Sequence, residues 1–284
     1  MNIIELFENA GIYRENLKEF TFDDTVKVKQ YYENLRTSNP NIDTNAADDL
    51  ISAMNEFPTE LLFISNSRIL YNFFSGKNHS RNRFSSDNAV AVSIDAVKSF
   101  IERFLSKSLN LFFEQKMAQN NFESIDDLLI AKEYLPQNSL DNLSRKITEK
   151  LDFVLNKIDQ NPALADDVVA INFIKFRSFY AVVSHFRSAE NDQKIKALYD
   201  KMTSPLINLG IKAEFLNPMI IAMSNYNAVD PDLDKMLKAN QQEATIRVEN
   251  ASSRGGHTGM SPWAVFAMIV IVFRLILLMA RCSR

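Results

Sequence analysis

The stretch NLSRKITEKLDFVLNKI, residues 142–158, places Leu143, Ile147, Leu151, Val154, Leu155 and Ile158 at steps of four, four, three, one and three. Such steps draw one apolar stripe down a helix, and charged residues fill the opposite face, so the pattern predicts an amphipathic helix. KSFIERFLSKSLNLFFEQK (98–116) repeats the pattern with a wider stripe made of Phe100, Ile101, Phe104, Leu105, Leu109, Phe112 and Phe113. DDVVAINFIKFRSFYAVVSHF (166–186) is apolar almost all round, which predicts a central helix covered by others. Further helices are expected near 2–9, 23–36, 46–56, 59–74, 124–134, 189–202, 213–226 and 231–249, with a β-hairpin as the alternative for 61–74. Alternation of period two is otherwise hard to find, so the fold class expected is all-α, an irregular multi-helix bundle.

After residue 249 the pattern changes. NASSRGGHTGMS, 250–261, holds three of the six glycines and reads as a flexible Gly-rich tether. WAVFAMIVIVFRLILLMA, 263–280, is then apolar except for Arg274. As a helix it would be about 27 Å long, against a hydrocarbon thickness of about 30 Å. A central arginine costs roughly 2.5–3.5 kcal/mol on insertion scales, whereas the Leu, Ile, Phe and Val residues return roughly 3–7 kcal/mol together. The segment is therefore expected to insert as one C-terminal transmembrane helix. Arg274 would bend toward the headgroups beside Arg281 and Arg284, with Trp263 at the opposite interface. Pairing of Arg274 with an acidic group of another membrane helix is the alternative. The organisation expected is a helical cytoplasmic domain (1–249), a linker (250–261) and a membrane anchor (262–281).

Composition refines this picture. Twenty-one Phe and ten Met against one Trp suit a helical interior filled by large, adaptable side chains. The one cysteine, Cys282, rules out an internal disulfide, and no secretory leader pattern opens the chain. The formal charge is -3, and Arg274, Arg281 and Arg284 all lie in the C-terminal tail, so the remainder is more acidic still. An acidic body argues against nucleic acid as a partner.

Candidate chemistry is sparse. The aspartate pairs at 23–24, 48–49, 126–127 and 166–167 invite a diphosphate-magnesium reading, which needs a second carboxylate four positions on. Lys27, Ser52, Ile130 and Ala170 occupy those positions, so helix-start signals are the better reading. DPDLDKMLKANQ has Asp230, Asp232 and Asp234 in calcium-loop register, but Lys235 and Gln241 replace the required Gly and Glu. Asp230 as N-cap before Pro231 explains the stretch instead. Of three histidines, His257 falls in the tether, and His185 reads as structural on an apolar helix. No nucleophile-elbow, zinc-protease or nucleotide-binding signature occurs. No metal or cofactor is expected. Sequence offsets of 39 and 40 between similar fragments hint at helical repeats without establishing them.

The basic stretch GKNHSRNRF is the one candidate for anion or headgroup contact. It packs Lys77, His79, Arg81 and Arg83 into seven positions, within a span from Leu61 to Ser86 that lacks acids. The function expected is that of a tail-anchored, single-pass membrane protein whose cytoplasmic helical domain is a non-catalytic adaptor or scaffold. Its partners would be membrane lipid and another protein. The alternatives are a membrane-held enzyme acting on a lipid or phosphate-bearing substrate through 77–83, and a soluble helical protein with an interfacial tail.

Overall fold

A computed structural model describes residues 2–9, isolated positions between 26 and 37, 44–76, 92–160, 169–203 and 213–255. The described residues are helical without a strand, in twelve α-helices and two 3-10 turns. They are α1 (Ile3–Asn9), α2 (Thr44–Glu56), α3 (Pro58–Asn66), α4 (Arg68–Phe74), α5 (Ile94–Phe104) and α6 (Ser106–Ala118). Then come α7 (Phe122–Leu129), α8 (Gln137–Gln160), α9 (Arg177–Ser184), α10 (Ala189–Thr203), α11 (Ala213–Met223) and α12 (Pro231–Gly255). The all-α expectation holds, and 61–74 is helical rather than a hairpin.

The amphipathic stripes are buried as the periodicity requires. In α8, Leu143, Ile147, Leu151, Val154 and Ile158 are buried, with Leu155 at the edge of the core. Phe100, Ile101, Leu105, Leu109 and Phe113 are buried likewise. That stripe belongs to two helices, however. Leu105 leaves helical geometry at φ -126, ψ -7, and the chain turns from α5 into α6, so the wider stripe is shared by two helices rather than carried by one. A similar break at Ser67 (φ -75, ψ 114) separates α3 from α4, and the Ser67 hydroxyl accepts a hydrogen bond from Leu70 N.

The expected central helix over 166–186 does not form. Its described part is a turn, a 3-10 turn (Asn172–Lys175), an extended Phe176 and the short α9. Phe173 and Ile174 are buried from the turn, and Phe179, Tyr180, Val182 and Val183 from α9. Two short elements, each burying its own apolar residues, produce the same all-round apolarity as one covered helix.

From α6 to α11, successive helices alternate between two rows. In one row α7 packs on α9 and α9 on α11; in the other α6 packs on α8 and α8 on α10. Neighbours within a row run in the same direction. Asp152 and Asp159 of α8 pair with Lys194 and Lys201 of α10, both contacts advancing by seven residues. Phe122 meets Phe179 while Asp126 meets His185. The geometry is the quasi-one-dimensional stacking of helical repeats, built here without a legible sequence repeat. The helices of α1–α5 close one end, through packing of α3 on α5 and of α4 on α7. Aromatic seams hold the interior, one joining Phe57, Phe100 and Phe104, another joining Phe122, Phe173, Phe179 and Tyr180.

The α12 helix packs on α11 and buries Leu233, Leu237 and Ala244. From Thr245 to Glu249 its side chains lie partly or fully exposed. It continues to Gly255, into the stretch expected as a tether, supported by the i,i+4 pairs Asp234–Lys238 and Glu243–Arg247. Among the described residues no helix is long and apolar enough to cross a membrane. The expected anchor, 262–281, lies outside the described residues.

Candidate functional site

The link between α6 and α7 sets the geometry of the exposed face of the first row. Asn120 adopts φ 54, with Asn120 N donating to Met117 O and Asn121 N to Lys116 O, the two bonds of a Schellman C-cap. Asn121 then caps α7, its Oδ1 accepting from Ser124 N at 3.2 Å. With Phe122 buried on the inner side, Glu123, Asp126 and Asp127 line the groove on the other. The pairs Asp48–Asp49 and Asp126–Asp127 sit in the second turns of α2 and α7 rather than at helix starts, because these helices begin two residues earlier than expected. The Asp230 cap is as expected, with Asp232 N donating to Asp230 Oδ1.

Replacing Asn120 by Ala is expected to cost about 1 kcal/mol in urea-induced unfolding, since an alanine at positive φ is strained. Gly at this position should cost less than Ala. Equal losses for the two would show that the strain is not what matters.

Opposite α7 stand Lys175, Phe176, Arg177, Ser178 and Ala181, at the entry and first turns of α9. Between the two walls runs a groove of about 770 Å³ that extends to Asn225, just after α11. One wall is acidic and the other basic. On the acidic wall Asp126 is bound by His185, Nε2 to Oδ1 at 2.9 Å. His185 is the C-cap of α9 rather than a residue inside an apolar helix, and its backbone oxygen accepts from Lys132 Nζ. Lys132 also lies 4.7 Å above the Phe186 ring, and burial lowers its pKa. Glu123 and Asp127 are also engaged within the chain. At the groove's end, Lys150 donates to Asn120 Oδ1 at 2.6 Å and lies 4.6 Å over Phe173, its pKa lowered by burial.

The basic wall is less settled. Lys175 rests 4.9 Å over the Phe215 ring. Among the described residues Arg177 has neither an ion-pair nor a hydrogen-bond partner. Phe176 is 40 % exposed. As N-cap of α9 it contributes no side-chain hydrogen bond, and the first turn of α9 holds no acidic residue.

Of these wall residues the sequence singled out only Asp126 and Asp127, as a helix-start pair; Glu123, Lys175, Phe176 and Arg177 were not picked out. The available signal was Lys175-Phe176-Arg177, two cations around an aromatic in an otherwise apolar run. The candidates from sequence, Lys77, His79, Arg81 and Arg83 for anion contact and Trp263, Arg274, Arg281 and Arg284 for the anchor, lie outside the described residues. Comparison with known protein families, characterised proteins and solved structures finds no match.

Proposed function

We propose that the chain is a membrane-held helical scaffold, anchored by 262–281, whose two-row stack presents the groove between α7 and α9 to a partner protein on the cytoplasmic side. The observation that carries the reading is the groove itself, with walls of opposite charge and an exposed aromatic at its lip. Stacked helical repeats use their row faces as extended recognition surfaces. Partly or fully exposed side chains over 245–249 of α12 precede the apolar segment in the chain, which suits a domain held at a surface.

Fractionation tests the anchor. The intact chain is expected to stay in the membrane pellet after alkaline carbonate washing, and a version ending at Met260 is expected in the supernatant. Equal distribution of the two would overturn the membrane placement. A photo-crosslinking residue in place of Ser178 in the intact chain tests the groove. A discrete adduct to one protein is expected, and labelling no different from that of a residue on the outer face of α8 would refute the scaffold role.

A further inference from the structure

We infer that the groove between α7 and α9 receives an extended segment of a partner protein that presents a carboxylate to Arg177 and Lys175 beside an apolar side chain packed on Phe176. This rests on the scaffold reading and narrows it to a ligand chemistry.

The charge distribution decides the sign of the ligand. Each acidic side chain of the α7 wall already has an interaction inside the chain, whereas Arg177 has none among the described residues. Arg177 also occupies the first turn of α9, where the helix dipole disfavours a cation, and Lys175 adds a second positive charge just ahead of it. With no carboxylate in that turn to offset them, the local arrangement is unfavourable for the unliganded fold. Local rules broken without internal compensation mark sites that a ligand completes.

The rest of the lining decides the class. Asn121 uses its side-chain oxygen to cap α7, and Asn225 uses its side-chain NH2 on the carbonyls of Ile221 and Ala222. One carboxamide thus keeps a donor and the other an acceptor, the pair that an extended peptide backbone matches. The volume of this open groove, about 770 Å³, lies within the range of ligand clefts and exceeds what one phosphate needs. Glu123, Asp126 and Asp127 on the facing wall repel a polyanion such as nucleic acid or an anionic bilayer, yet tolerate a single carboxylate held against the other wall.

Selection of short random peptides displayed on phage, against the intact chain in detergent micelles, tests the inference. Enriched sequences are expected to carry Asp or Glu next to an aromatic or aliphatic residue. A synthetic copy of the best one should lose affinity roughly tenfold or more on Arg177→Glu, and keep it on Lys196→Glu, an exposed site on α10. Glutamate suits the first turn of a helix better than arginine does, so an unchanged thermal melt is expected for Arg177→Glu and separates lost binding from lost fold. Enriched peptides without an acid, or binding indifferent to Arg177→Glu, would overturn the groove chemistry while leaving the scaffold reading to its own crosslinking test. Competition by vesicles of phosphatidylserine as strong as by the peptide would assign the cations to lipid and would equally overturn it.

Discussion

Replacing Phe179 by Ala is expected to lower stability by about 3–5 kcal/mol, the cost of emptying the space of a fully buried aromatic. The site has little room to relax. The ring stands edge-on to Phe122 at 5.0 Å, Phe173 at 5.1 Å and Tyr180 at 5.2 Å, which ties α7, the 3-10 turn and α9 together. Against a total of about 5–15 kcal/mol for a domain, that loss is large. It also falls at one junction of the stack, where α9 meets mainly its row neighbours α7 and α11. Weakening one junction of such a stack decouples what lies on either side. Urea unfolding followed by circular dichroism should therefore split into two transitions, with α10–α12 melting first. Phe179→Leu, which keeps most of the volume, should cost less than about 1.5 kcal/mol and leave a single transition. A single transition for Phe179→Ala with a loss under about 1 kcal/mol would mean that the aromatic seam does not join the rows.

The second large effect belongs to Asp192, buried at the start of α10. Its carboxylate accepts from Tyr226 Oη at 2.5 Å, Val229 N at 3.3 Å and Asp230 N at 2.7 Å. One acid thereby pins the connection between α11 and α12 and sets where α12 begins. Asp192→Ala leaves three donors without a partner and is expected to cost about 3–5 kcal/mol. Asp192→Asn should cost about 1–3 kcal/mol, since its amide can face Asp230 N only donor to donor. Faster hydrogen exchange over 226–237 in both variants, with 140–158 unchanged, is the signature expected of a released α12. Uniform acceleration across the chain would show that Asp192 serves the fold generally.

The same connection sets a pH dependence. Burial first, and then the hydrogen bond to Asp192, push the Tyr226 phenol well above its ordinary value, and burial alone does so for Tyr180. Both stay protonated in the fold at a pH where the unfolded chain releases their protons. Their contribution is thus complete below about pH 10 and is lost as pH rises beyond it. Tyr226→Phe should flatten part of that alkaline decline.

Much of this was legible beforehand where one helix sufficed to explain a pattern. The α8 stripe, the Asp230–Pro231 start of α12 and the Phe- and Met-filled interior follow from periodicity, capping chemistry and side-chain volume, which act within a few residues. Leu105, Ser67 and Phe176 broke the expectation for a common reason. Each lies inside an apolar run, and hydropathy is blind to a chain that changes direction while remaining buried. The groove was illegible for a related reason. Lys175, Phe176 and Arg177 look like minor interruptions of an apolar segment until α9 is laid beside α7, about fifty residues earlier in the chain.

From sequence alone came the helical class, the side of each long helix that meets the core, and the apolar character of 262–281, because these depend on spacing and transfer free energy along the chain. Only the tertiary structure decided where the long runs break, that the helices stand in two rows, and that a cation without a partner among the described residues faces an already engaged acidic wall. Those properties arise from contacts between residues far apart in sequence, whose pairing is chosen by the joint packing of all the helices rather than by the preference of any one.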